Sequence, residues 1–152
     1  MGTAKGHRAY MLTMAATPTV YVDEPYMTMR WDSVNRQVVT EWKGFANSAE
    51  FRACLLKGVQ AVKDHHAKTY ISDVRKFRVI VHEDQKWVAE HWMPLVVAAG
   101  LKRIAFVTAP SGLGKVTVED AASLIHDQGL QSRTFVSMTE AKRWLAEIQT
   151  PP

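Results

Sequence analysis

Residues 103–108 read RIAFVT, and within them Ile104, Ala105, Phe106 and Val107 follow one another with no polar residue between. A strand that is apolar on every residue is buried on both faces, the pattern of a parallel strand clothed by helices. The chain on either side supports that reading. Upstream, Glu83 to Ala99 repeats apolar residues at helical spacing and brings Val88, Trp92, Leu95 and Ala99 together. Gly100 follows at the position where a left-handed residue closes a helix, and Pro94 inside it removes one hydrogen bond and predicts a bend. Downstream, Thr117 with Asp120 reads as the cap of a helix carrying Val118, Ala121, Ala122 and Ile125 inward and stopping at Gly129. Arg133 to Val136 is a last strand. Ser137 and Glu140 then form a capping box for a final helix with Ala141, Trp144, Leu145 and Ile148 on one stripe.

The same alternation holds further back. Thr69 to Val74 is a short strand, preceded by a helix whose Asn47 and Glu50 cap it and whose Phe51, Cys54, Leu55, Gly58 and Val62 share a face. Three strand and helix alternations imply right-handed crossovers and a largely parallel sheet, so the fold class is α/β. Before Gly44 the pattern is extended: Met27, Met29 and Trp31 alternate with Thr28 and Arg30, and Val38, Thr40 and Trp42 alternate with Glu41 and Lys43. With a turn over Asp32 to Arg36, this is an antiparallel hairpin with one wet face, preceded by a short strand at Val20 to Asp23. The expected architecture is one domain over residues 18–150, a mixed, mainly parallel sheet with an N-terminal antiparallel hairpin and about four helices. Residues 1–17 read as a tail.

Composition narrows the function. The 152 residues are 47% hydrophobic and 22% charged, as in one globular domain with its own core. A single cysteine, Cys54, leaves no internal disulfide or cysteine-rich metal site and fits a cytoplasmic protein. The net charge is +4, but Lys and Arg are scattered, densest at Arg75, Lys76 and Arg78 and at Lys102 and Arg103, so nucleic acid is not an expected partner. No run reaches the length of a membrane span, so stable membrane insertion is not expected. The patch from Ala9 to Ala16, interrupted by Thr13, is too weak for a secretion signal.

Motifs for catalysis are missing. Ala109 to Thr117, APSGLGKVT, resembles a phosphate loop in context, but Ala109 stands where the first glycine is needed and Val116 where the magnesium-binding hydroxyl is needed. Pro110 also removes an amide from the would-be cradle. The histidines at 7, 65, 66, 82, 91 and 126 lack metal-binding spacing, and His82-Glu83 is followed by Lys86 where a zinc-protease motif needs its second histidine. Cys54 lies on an apolar helix face, and no nucleophile elbow surrounds Ser111. No cofactor, metal or enzymatic activity is therefore expected.

Ser72 to Trp92 is more informative. Asp73 and Arg75 stand at the carboxyl end of a strand, where open α/β sheets form ligand crevices, and Trp87 and His91 share a helix face. These four are the candidate binding residues. The competing reading is that Asp73 and Arg75 pair with each other or with local backbone, and that both tryptophans are core.

Val38 to Gly44 VVTEWKG, Ile71 to Arg75 ISDVR, Glu83 to Trp92 EDQKWVAEHW, Pro94, Ala99 to Val107 AGLKRIAFV, Phe135 and Glu140 to Leu145 EAKRWL together resemble the SpoIIAA-like family of bacterial proteins, within the STAS and CRAL-TRIO-like fold group. The likeness covers about residues 18–148. It implies a four- or five-stranded sheet with helices packed against it, frequent homodimers and no established enzymatic activity. Relatives that antagonise anti-sigma factors carry a phosphorylatable serine in an Asp-x-Ser element. Here that place reads Asp73-Val74-Arg75, and no Ser, Thr or Tyr occurs from Asp73 to Trp92. A charge switch by phosphorylation in that loop is thereby removed. Two functions stay open: a regulatory or scaffolding module binding a protein partner or a second copy of itself, and a small carrier of an apolar or amphipathic, lipid-like molecule. A roomy apolar cavity under the helix of Trp87 and Trp92 would mark the carrier.

Overall fold

The computed structural model describes residues 18–77, 79–112, 115–116, 119–120 and 129–148. Its sheet has six strands in chain order: β1 (Val20–Glu24), β2 (Met27–Asp32), β3 (Gln37–Trp42), β4 (Thr69–Asp73), β5 (Arg103–Val107) and β6 (Gln131–Phe135). The first three pair antiparallel and β3 through β6 pair parallel, so the mixed sheet with its N-terminal hairpin is as expected from the sequence. Six strands replace the four or five that the family resemblance implied.

Three helices are present among the described residues, against about four expected. They are α1 (Ser48–His65), α2, and α3 (Met138–Ala146). Of the helix expected to follow Thr117, Glu119 and Asp120 are helical, while its inward-facing Val118, Ala121, Ala122 and Ile125 lie outside the described residues. Helix α2 is built of three consecutive segments: α-helical His82–Trp87, π-helical Val88–Trp92 and α-helical Met93–Ala98. The π segment is the form taken by the interruption expected at Pro94. Proline has no N–H to continue the ordinary ladder, and the Met93 N–H donates to Val88 O, five residues back. Gly100 closes the helix at φ 108, a conformation open to glycine and costly to other residues.

Local chemistry explains the other ends. Asn47 Oδ1 accepts from the Glu50 N–H at 2.8 Å while Glu50 Oε1 accepts from the Asn47 N–H at 2.9 Å, the reciprocal cap that starts α1. Asp32 Oδ1 accepts from the N–H groups of Val34 and Asn35 and folds the β2–β3 turn. Burial alone would push the Asp32 carboxyl up, but these bonds, the Asn35 side chain and Arg30 nearby outweigh it and hold the carboxyl below its ordinary range.

Side-chain alternation divides the sheet into two faces. Tyr70, Ile104, Met27, Met29, Val38 and Trp42 turn toward α1 and α2 and form the large core with Phe51, Val62, Trp92 and Val96. Ile71, Ala105 and Val107 turn the other way and meet Ala141 and Leu145 of α3. Helix α1 lies close on β4 at Gly58, where an added Cβ would stand 2.7 Å from Tyr70 Oη. The Trp92 Nε1–H donates to Leu55 O at 2.7 Å and ties α2 to α1. Trp144, expected as core, is only partly buried: its ring packs on Phe135, with the guanidinium of Arg103 4.7 Å and that of Arg133 5.6 Å from its centroid. It sits at the rim of the smaller core, over the terminal strand β6.

Candidate functional site

The carboxyl ends of β3 and β4 carry two connections, residues 43–47 leading into α1 and residues 74–81 leading into α2. Between them lies a groove of about 260 Å³ lined by Phe45, Ala46, Asn47, Ser48, Phe51, Phe77, Val79, Ile80, Val81 and Asp84. Phe77 and Ile80 turn inward against the large core, with Phe77 in aromatic contact with Trp42 at 5.0 Å and with Phe51 at 5.9 Å. Phe45, Val79 and Val81 stay outside, 82%, 44% and 49% exposed.

The side-chain oxygens of the groove wall already have partners. Asp84 is buried, and its carboxylate accepts from Ser48 Oγ at 2.7 Å and from Arg52 Nε at 2.9 Å. The Asn47 side-chain oxygen is held by the α1 cap. With the Asp84 charge set against the first turn of α1, the place where an anion would bind is filled by the protein's own carboxylate. The groove therefore favours an apolar guest over a sugar, a phosphate or a carboxylate.

Beneath α2 there is a second space, lined by Trp42, Leu55, Tyr70, Val88, Trp92 and Phe106 among others, with a volume of about 40 Å³. Room on that scale takes a water molecule or two, whereas ligand pockets run to several hundred Å³. Phe51, Phe77 and Ile80 form the partition between this space and the groove.

The four sequence candidates are split between the two sides of the sheet. Asp73 is buried at the end of β4 on the α3 side, since its neighbours Ser72 and Val74 line the space under α2. Arg75 returns to it: Arg75 Nε meets Asp73 Oδ1 at 2.9 Å and Arg75 Nη2 meets Asp73 Oδ2 at 2.7 Å, while the Arg75 N–H also donates to Oδ1. That bidentate pair is the local pairing weighed above as the competing reading. Lys76 stands beside it, 3.7 Å from Glu41 Oε2. Trp87, half-buried against the large core, and the exposed His91 do come together on α2, ring centroids 6.2 Å apart, and the Arg52 guanidinium lies 5.3 Å from the Trp87 centroid. Through Arg52, which also holds Asp84, this surface adjoins the groove. Trp92, by contrast, is core.

The groove takes Phe77, Val79, Ile80 and Val81 from the segment Ser72 to Trp92, and the sequence analysis singled out none of these four. Their signal was the near-continuous apolar run Phe77 to Val81 between a finished strand and a new helix, with no place of its own in the sheet. Elsewhere, Lys115 in the glycine-rich connection is ion-paired with Glu119 at 3.9 Å, and Thr117 lies outside the described residues. Burial, then Glu24 and Glu50, push the Cys54 thiol up to about 11, which keeps it protonated. Among the described residues, no cluster of three or more His, Cys, Asp or Glu side chains is placed to hold a metal ion, and no helix is long and apolar enough to cross a membrane. No protein-family model matches the chain, and a search of curated proteins finds none similar to it.

Proposed function

We propose that the chain is a non-enzymatic binding domain of SpoIIAA-like type that takes an apolar anchor of a protein partner into the groove between residues 45–48 and 77–84. The observation that carries this reading is the exposure of Phe45, Val79 and Val81 around one apolar recess. Exposed apolar side chains scattered singly are ordinary, while a cluster of them around a concavity is the signature of an interaction surface. Arg52 and Trp87 beside it belong to the residue types that anchor interfaces, and His91 completes that flank. Asp73 and Arg75 contribute by fixing the start of the connection rather than by touching the partner. The carrier reading is weaker, because the space under α2 is about 40 Å³ and a carrier must bury most of its ligand. No Ser, Thr or Tyr lies between Asp73 and Trp92, so the module works without a phosphoserine switch in that loop.

Site-specific photo-crosslinking in living cells tests the reading. A benzophenone side chain at Val79 or Val81 is expected to give discrete protein adducts, and one at Val34, 87% exposed on the β2–β3 turn, none. Equal labelling at Val34, or no adduct at the groove, would sink the proposal.

A further inference from the structure

Arg52 stands at the edge of the groove with only part of its bonding capacity used. Its Nε donates to Asp84 Oδ1 at 2.9 Å, and among the described residues neither Nη group has an acceptor. The Arg52 side chain is 37% exposed and that of Asp84 7%, so the cation is the member of the pair that the surface presents. The pair at the start of the neighbouring connection is arranged alike, with Arg75 48% exposed over an Asp73 that is 8% exposed. Lys43 and Lys76, at the starts of the two connections that frame the groove, are exposed as well. The apolar recess is thus bordered by cations whose closest carboxylates, Asp73 and Asp84, lie beneath them. The Arg52 guanidinium is also held in place: Asp84 fixes one edge of it, and the Trp87 ring lies 5.3 Å away, centroid to guanidinium carbon. Much of its rotamer freedom is spent before any partner arrives. Two free Nη groups form a planar fork that matches both oxygens of a carboxylate, and a hydrogen bond of that charged kind is about twice as strong as a neutral one.

We infer that the groove reads a partner segment that is both apolar and acidic: an apolar side chain enters the recess framed by Phe77, Val79 and Val81, and an Asp or Glu side chain close to it in the partner pairs with the free fork of Arg52. The inference rests on the apolar-anchor reading above and adds the charge that accompanies the anchor. No carboxylate enters the recess itself, where Asp84 already fills the anion position at the first turn of α1. The partner's carboxylate is received outside it, on the exposed side of Arg52. Trp87 is a positioning residue in this scheme, keeping the guanidinium plane where the fork can be met. A charge pair at such a rim contributes mainly selectivity and speed of encounter, and it weakens as salt rises.

The experiment is a selection of short random peptides against the full chain, each displayed as an N-terminal fusion so that no free C-terminal carboxylate is offered. Selected peptides are expected to combine a large apolar residue with an Asp or Glu a few positions away. An amidated synthetic copy of the best binder then gives affinities by fluorescence anisotropy. Changing its acidic residue to the corresponding amide should weaken binding about tenfold, and raising salt from about 0.05 to 0.5 M should weaken it too. Against a chain carrying Arg52→Gln together with Asp84→Asn, a neutral replacement that leaves no buried charge unpaired, the same peptide change should cost less than about twofold. Arg52→Lys, which keeps the charge and loses the fork, should fall between the two. Val79→Glu should abolish binding of every selected peptide. Selected peptides that lack an acidic residue, lose binding in Val79→Glu and ignore the Arg52 substitutions overturn this inference and leave the apolar-anchor reading standing. An acidic residue whose loss costs the same with and without Arg52 overturns it as well. Peptides that bind Val79→Glu as tightly as the wild type, or a selection that yields no binder, remove both readings.

Discussion

On one face of the sheet, α1 and α2 enclose a core running from Val22 to Leu130 and holding Trp31, Trp42 and Trp92. On the other, among the described residues, Ala141 and Leu145 of α3 pack on Ile71, Ala105 and Val107. The larger face has aromatic rings in mutual contact, Trp42 with Phe51 at 5.2 Å and Tyr70 edge-on to Trp92 at 5.7 Å. The smaller face is aliphatic at its centre, and its aromatic pair, Phe135 and Trp144, stays at the rim beneath two guanidinium groups. Stability is therefore concentrated on the α1 and α2 face. The groove opens at the edge of that same face, yet its lip is made of connections that lie outside the packed interior. A substitution at the lip can change binding without touching the interior, while one a few residues away in α2 cannot.

Urea unfolding of single variants puts numbers on the contrast. Trp92→Ala should cost most, about 3–5 kcal/mol, since it empties the centre of the larger core and strips Leu55 O of its indole donor. A loss under about 1.5 kcal/mol, the scale of a conservative swap, would mean the two faces are equally loaded. Leu145→Ala, fully buried in the smaller core, should cost about 2–3 kcal/mol, toward the lower end for such truncations because the described residues of that core are few. If it exceeded Trp92→Ala, the ranking of the faces would reverse. Gly58→Ala should cost about 1–3 kcal/mol despite its better helix propensity, because the new methyl meets a buried, ring-fixed hydroxyl. An unchanged or raised midpoint would show that α1 can lift off β4. Trp144→Ala should cost about 1–2 kcal/mol, from partial burial and the loss of two cation–π contacts. A larger loss would make the rim a true part of the smaller core.

Much of this was legible from the residues alone. Asn47 with Glu50, Gly100, the alternation of Met27, Met29 and Trp31, and the unbroken run Ile104 to Val107 each have a local physical cause, and each element formed where its signal stood. Pro94 announced an interruption, but whether a helix answers a missing N–H by kinking or by widening to a π turn depends on what packs around it. The site was less legible. Asp73 and Arg75 attract notice as charges at a strand end, yet whether they face a ligand or each other is decided by rotamers that bring Nη2 to within 2.7 Å of Oδ2. Val79 and Val81 look like core residues in a string of letters. Their exposure is a property of where the connection runs in space, and nothing local encodes it.

The strand order has a consequence for how the chain is made. Because β1 to β6 follow one another across the sheet without a skip, every strand docks on the one synthesised just before it. Domains generally fold from the N-terminus as they leave the ribosome, and pairings between neighbours in sequence close the shortest loops. The hairpin of β1, β2 and β3 is thus a template waiting at the tunnel exit, extended one strand at a time. Helix α3 follows β6 and packs on the side of the sheet that carries Ile71, Ala105 and Val107. A chain halted before Ser137 would lack Ala141 and Leu145, which pack on Ile71, Ala105 and Val107, and would expose more apolar surface of the kind that nascent-chain chaperones bind.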